Sequence, residues 1–446
     1  MTRPHGYAML SALTALTVAI SAAIYVGAAA DNGTAHRGTA PDARAPHSTA
    51  APASVGTWVG AWAASPVGAE PGTETGALAN RSLRNVVHAT ASGTSARITL
   101  SNLYGQSPLT VTHATLAVAT DRTGDGAAAV SGSMRRITFG GSASVVVRPG
   151  GQVLSDAVRV DVTDGADLLV TTYSPTPSGP VTYHPHARQV SYSARGDRAE
   201  DVTGAPYTEE VVYWRYLTAV DVLSGDSDGT VVALGDSLTD GITSTENANH
   251  RWTDRLAARL RKAVASGEKL PRYSVVNEGI SGNQVFGSGL GRPADNQSAL
   301  LRFGRDALSR TNVKVVVIDL GINDILSSPR RPDPQHVTAG LRTLVRQAHA
   351  HGLKVIGATL MPCKGHLRCT TARDTVRQQV NAKIRAGRVF DAYVDFDKAL
   401  RDPYDPRQLL PDYDSGDHLH PSDLGYARMA AVFDLRELKG AGQTEL

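Results

Sequence analysis

The sequence predicts two folded regions, an all-β, sandwich-like region over 56–225 and an α/β region with a parallel sheet over 226–446. Three observations predict this. Between 58 and 223, short runs rich in β-branched residues are separated by Gly, Pro, Ser and Asp, with little helical periodicity. From Gly229 onward, apolar runs alternate with helical stretches, as in a sheet with helices on both faces. The run 313–320 is long and mainly apolar, as expected of a central strand. With 446 residues the chain can build two sizeable cores.

Residues 1–30 read as a targeting segment. Arg3 gives a positive start, 8–30 is uncharged and apolar, and Ala28-Ala29-Ala30 offers small residues for cleavage. This predicts a secreted protein; the alternative is an uncleaved N-terminal anchor that leaves the folded part outside. Residues 31–55 lack large apolar side chains and are expected to form a disordered linker. A formal net charge of +3, with no basic run interleaved with aromatics, argues against a nucleic-acid partner.

In the β region the expected strands are 96–100, 111–118, 144–148, 158–162, 168–173 and 211–222. No catalytic constellation stands out there. His88, His184 and His186 read as ordinary polar residues, with a ligand role as the alternative. Trp58, Trp62 and Trp214 read as packing residues, with a sugar-stacking face as the alternative.

In the α/β region strands are expected at 230–234, 273–277, 313–320, 353–360 and 392–395. Helices are expected at 251–265, 334–351 and 371–387, with a closing helix at 424–438. Cys363 and Cys369 enclose Lys-Gly-His-Leu-Arg, and in an exported chain they are expected to form a disulfide that shapes the rim after the fourth strand.

Chemistry concentrates where strands end. Gly235-Asp236-Ser237-Leu238-Thr239-Asp240-Gly241 follows the first parallel strand, the edge at which open α/β sheets bind ligands. Alone, Gly-Asp-Ser is a common turn. A second copy, Gly225-Asp226-Ser227, precedes the strand and reads as linker. Serine needs a base, and the base needs a partner that fixes its tautomer. Asp417-His418-Leu419-His420-Pro421 offers both. Asn277-Glu278-Gly279-Ile280-Ser281-Gly282-Asn283 and Gly321-Ile322-Asn323-Asp324 follow the next two strands. Each is either a plain turn or a source of oxyanion donors. Asp236, Asp240 and Asp324 add carboxylates, read as solvated or loop-bracing, with a bias against anionic substrates as the alternative. Arg251-Trp252 opens a helix and reads as packing, with a rim contact to substrate as the alternative.

Taken together, these four stretches resemble the SGNH hydrolases, the GDSL esterases and lipases. The serine block is Gly235-Asp236-Ser237-Leu238 and the glycine block is Ile280-Ser281-Gly282-Asn283. The third block is Gly321-Ile322-Asn323-Asp324, and the last is Asp417 to Pro421. The match runs over about 229–438, in the family's order. Within the family the chain is similar to secreted actinobacterial arylesterase and acylhydrolase members with an N-terminal β domain. The resemblance implies a flavodoxin-like three-layer fold. It implies Ser237 as nucleophile, His420 as general base and acid, and Asp417 as the residue that orients it. It also implies an oxyanion hole from the N–H groups of Ser237 and Gly282 and the side chain of Asn323. No metal and no organic cofactor are implied. His418 falls outside the family spacing. The pentapeptide Gly-x-Ser-x-Gly is absent at Ser237, which argues against the ordinary α/β-hydrolase layout.

The expected function is ester hydrolysis by a secreted monomer. Short acyl groups or carbohydrate O-acyl esters are the favoured substrates, small or polymeric, with no stable membrane partner after cleavage. The alternatives are a lipase- or phospholipase-type acylhydrolase, an acyltransferase, and a glycan-binding protein on a hydrolase scaffold.

Overall fold

The computed structural model describes residues 56–75, 78–120, 126–287, 296–328 and 332–440. The targeting segment and the linker lie outside the described residues. Both folded regions belong to one compact unit, Val55–Leu446. Among the described residues no helix is long and apolar enough to cross a membrane.

The first region is antiparallel. One sheet runs Thr57–Ala63, Leu217–Ser224, Gly93–Ser101, Val158–Val162, and Gln152–Leu154 also pairs with Gly93–Ser101. A second runs Glu209–Val211, Ser191–Arg195, Arg81–His88, Asp167–Ser174, His113–Val118, Arg135–Arg136. Val59, Ile98 and Val220 of the first sheet share one apolar core with Val87, Leu116 and Leu168 of the second. Two sheets closed on a common core make a sandwich.

Two expected strands are each divided between sheets. The segment 111–118 splits, because Leu109–Val111 pairs with Val145–Val147 while His113–Val118 joins the six-stranded sheet. The segment 211–222 breaks at Tyr216, which has φ 60° and a hydroxyl 2.6 Å from that of Ser178. Trp214–Arg215 pairs with Thr182–His184, and Leu217–Ser224 with Gly93–Ser101. The tryptophans pack as read. Trp62 and Trp214 are buried edge to face at 4.8 Å, and Arg97 lies over Trp58.

The second region is built on five parallel strands. They are β1 (Gly229–Gly235), β2 (Tyr273–Gly279), β3 (Val313–Asp319), β4 (Lys354–Ala358) and β5 (Ala392–Val394). Their spatial order is β2-β1-β3-β4-β5, the doubly wound order of flavodoxin-like folds. Val231 to Leu234 and Val315 to Val317 have no exposure, so neither face of the central strands meets water. The helices are α1 (Ser237–Asp240), α2 (Trp252–Ala265), α3 (Ala299–Phe303), α4 (Ile322–Leu326), α5 (Pro334–His349), α6 (Thr371–Arg385), α7 (Phe396–Leu400) and α8 (Asp423–Ala431).

The closing helix is shorter than expected. It ends at Ala431, and only a 3-10 turn, Leu435–Leu438, follows. Phe433 turns inward to stack on Trp252 at 5.5 Å, and Arg259 donates to the carbonyls of Ala430 and Phe433. Both contacts draw the backbone off the helix axis.

The two regions interlock along β1 and β2. The N–H of Gly60 donates to Thr230 Oγ1 at 3.0 Å, and the hydroxyl of Thr90 donates to the carbonyl of Val275 at 2.8 Å. The second bond engages β2, an outer strand of the parallel sheet.

Candidate active site

Ser237 is the first residue of α1, at the carboxyl end of β1. Asp236 caps this helix, its side chain accepting the N–H of Leu238 at 3.1 Å. Gly241, at φ 93°, ends it in the left-handed region. Gly279, the last residue of β2, lets α1 come close. A Cβ there would lie 2.2 Å from the backbone nitrogen of Asp240.

The base comes from the turn before α8. His420 Nε2 lies 2.9 Å from Ser237 Oγ, and Nδ1 lies 2.5 Å from Asp417 Oδ2. The other Asp417 oxygen accepts the N–H groups of Leu419 and His420 at 2.9 and 2.8 Å. Burial opposes charge on Asp417, yet these bonds hold its carboxyl down to about 2. A carboxylate on Nδ1 fixes that proton and leaves Nε2 free to accept from the serine hydroxyl. His418 points elsewhere, with φ 64° and its Nδ1 paired to Asp414 at 2.7 Å. The turn thus holds two Asp–His pairs, and only the later one meets Ser237.

The expected oxyanion donors gather here. Among the described residues the backbone N–H groups of Ser237 and Gly282 have no acceptor. Gly282 sits at φ 76°. The Asn323 amide nitrogen lies 3.2 Å from both Asp236 Oδ2 and the carbonyl of Asn283. These are long bonds, and a full oxyanion is a stronger acceptor than a carbonyl.

The neighbouring carboxylates brace the site's loops. Asp236, Asp240 and Asp319 are buried, and Asp324 is half-buried. Burial, with Asp319 next, pushes Asp236 well above the usual carboxylate range. Burial pushes Asp319 up to about 7 and Asp324 up to about 6, against backbone N–H bonds to Asp324 from Val285 and Phe286. Asp240 behaves oppositely. Burial again opposes its charge, but His184 and then His186 outweigh it and hold the carboxyl below the usual range. Arg251 and Trp252 pack as expected, Arg251 donating to the carbonyls of Asp240 and Ala187.

Sequence reasoning missed one contributor to the site and anticipated another. The missed one is His184 of the β region, 3.0 Å from Asp240. Nothing in the local pattern of a lone histidine marks it. The other is the loop closed by the Cys363–Cys369 disulfide, with Cα atoms 5.7 Å apart. It presses on the base turn, because a Cβ on Gly365 would lie 2.6 Å from the His418 ring. Burial pushes the His366 imidazole down while Asp417 pulls it the other way.

A serine hydroxyl 2.9 Å from an imidazole that a carboxylate tethers suits acyl transfer from an ester. Comparison with curated proteins gives no match. Among solved structures, the chain is similar to a GDSL-like lipase from Bacteroides thetaiotaomicron VPI-5482. Identity is 22%, TM-score 0.32, over 46% of this chain and 84% of that one. It is also similar to an acetylxylan esterase from Geobacillus stearothermophilus, with 23% identity and TM-score 0.36, over 48% of this chain and 94% of that one. Residues 233–428 match the GDSL-like lipase/acylhydrolase family. The likeness to this family thus covers the part of the chain that holds Ser237, Gly282, Asn323, Asp417 and His420.

Proposed function

We propose that this chain is an exported, monomeric esterase that removes short acyl groups, carbohydrate O-acyl esters foremost, through an acyl-enzyme on Ser237. The continuous relay from Ser237 through His420 to Asp417, at 2.9 and 2.5 Å, carries the reading.

Ser237 Oγ attacks the ester carbonyl carbon and its proton passes to His420 Nε2. The carbonyl oxygen becomes an oxyanion, held by the N–H groups of Ser237 and Gly282 and by Asn323. Collapse breaks the bond to the alcohol oxygen, which leaves with the proton from His420. Water then attacks the acyl-enzyme, giving its proton to His420. A second collapse frees the carboxylic acid and returns the proton to Ser237. Asp417 keeps the imidazole oriented throughout.

The loops that meet at Ser237 support the substrate class. Polar groups stand around the relay: Gln284 donates to the carbonyl of Asn323, and His366 lies close enough to Asp417 and His420 for their charges to act on it. Such a polar surround suits a hydroxyl-rich alcohol better than a lipid-length acyl chain. The decisive test is fluorophosphonate labelling read by peptide mass spectrometry. An adduct on Ser237, lost in His420→Ala, is expected. No adduct on well-folded protein turns the reading to a glycan-binding protein. A chain-length series of aryl esters then separates short-acyl from lipase-type specificity, and fastest turnover on acetyl or propionyl esters is expected.

A further inference from the structure

We propose that His184, a residue of the β-sandwich region, is a positioning residue for the oxyanion donors and acts through Asp240 and Ser281. The proposal rests on the esterase reading above. Asp240 is the last residue of α1, the helix that begins with Ser237. One of its oxygens lies 3.0 Å from His184 Nε2. The other accepts the backbone N–H of Ser281 at 2.9 Å and its hydroxyl at 2.6 Å. Ser281 directly precedes Gly282. A single carboxylate thus ties the helix that starts at Ser237 to the turn that bears Gly282, and so relates the two N–H groups meant for one oxyanion.

His184 fixes that carboxylate. Its Nδ1 lies 2.8 Å from the carbonyl of Ser65, so both ring nitrogens face acceptors. A ring held between two acceptors cannot swing without losing one of them. His184 and Asp240 are 4% and 2% exposed, so water does not replace either bond. The β region also grips the Gly282 turn from a second direction, through Val67. The N–H of Asn296 donates to the carbonyl of Val67 at 2.6 Å, and the Asn296 side chain donates to the carbonyl of Ser281 at 3.0 Å. His184 touches no reacting atom. Its effect travels as the spacing of two N–H groups, and misplacement by about 1 Å costs up to about a hundredfold in rate.

The test compares wild type, His184→Ala, His184→Gln and Ser281→Ala, assayed well below their melting temperatures. Two readouts are taken: kcat and KM on a short aryl ester, and affinity for an arylboronic acid, whose tetrahedral serine adduct fills the oxyanion site. His184→Ala is expected to lower kcat about 10- to 100-fold with KM little changed, and to weaken boronate binding in parallel. His184→Gln, which keeps an N–H for Asp240, recovers part of both. A merely structural role moves the melting temperature alone. If His184→Ala does not fold, Ser281→Ala carries the same prediction at smaller size. Kinetics and boronate affinity within twofold of wild type in a folded variant overturn the role of His184. Wild type that binds no boronate and turns over no ester overturns the esterase reading itself.

Discussion

Asp417 grips His420 twice, with Oδ2 2.5 Å from the ring Nδ1 and Oδ1 accepting the backbone N–H of the same residue at 2.8 Å. The carboxylate therefore fixes both the imidazole and the peptide that carries it. Asp417→Asn offers an amide that can present an N–H to Nδ1 and favour the wrong tautomer. Turnover is expected to fall on the order of 10³–10⁴-fold, with folding intact. Steady-state kinetics with a circular dichroism control checks this, and a loss below tenfold would sink the orienting role.

Asn323 spans Asp236 and Asn283 in the free protein, with 3.2 Å to each. An oxyanion draws on that same amide. Asn323→Ala is expected to lower kcat on the order of 10²–10³-fold while KM moves little. If KM rises and kcat holds, Asn323 binds ground state and not the oxyanion.

Asp324 gives a signed pH dependence. Burial lifts its carboxyl to about 6 in the folded chain, above the ordinary 3.8. Between these values the native protein holds a proton that the unfolded chain has released. This contribution to stability is full below about pH 4 and is lost as pH rises through about 6, at most about 1.4 kcal/mol per pH unit. Asp324→Asn removes it. Urea unfolding at pH 4, 5, 6 and 7 should show the difference between wild type and variant shrinking or reversing as pH rises. A constant difference would falsify the assignment.

Gly279→Ala forces a Cβ to within 2.2 Å of the Asp240 nitrogen and 2.8 Å of its Cα. Both are backbone atoms, so no side chain can rotate away. The end of β2 must part from α1, at about 1–3 kcal/mol, and activity should fall with it. Chemical denaturation and kinetics together check this. An unchanged midpoint means the two backbones have slack.

The site's core was legible because it lies in linear motifs at the ends of strands. Ser237, Gly282, Asn323, Asp417 and His420 each sit in a stretch whose spacing carries meaning, and the strand periods placed the first three of these residues at one edge. His184 was not legible. It approaches Asp240 only because the sandwich folds back on the sheet, and no local period encodes that return. The carboxylates were half legible for a related reason. In sequence Asp236, Asp240 and Asp324 read as either solvated or loop-bracing, since polar letters do not reveal how closely α1 and the Gly282 turn pack. The breaks at Thr112 and Tyr216 were hidden because each divides one β-favouring run between two sheets, a choice made by partners distant in the chain.

The bond from Thr90 to the carbonyl of Val275 bears on solubility as well as packing. β2 ends the parallel sheet on one side, and an uncovered outer strand is a template for pairing with another chain. The sandwich lies against this strand and occupies part of its outward hydrogen-bonding capacity. A fragment cut at the start of β1 would expose that border and tend to associate strand to strand. The β region thus acts as a permanent guard on the sheet, and engineering of the hydrolase half should leave it attached.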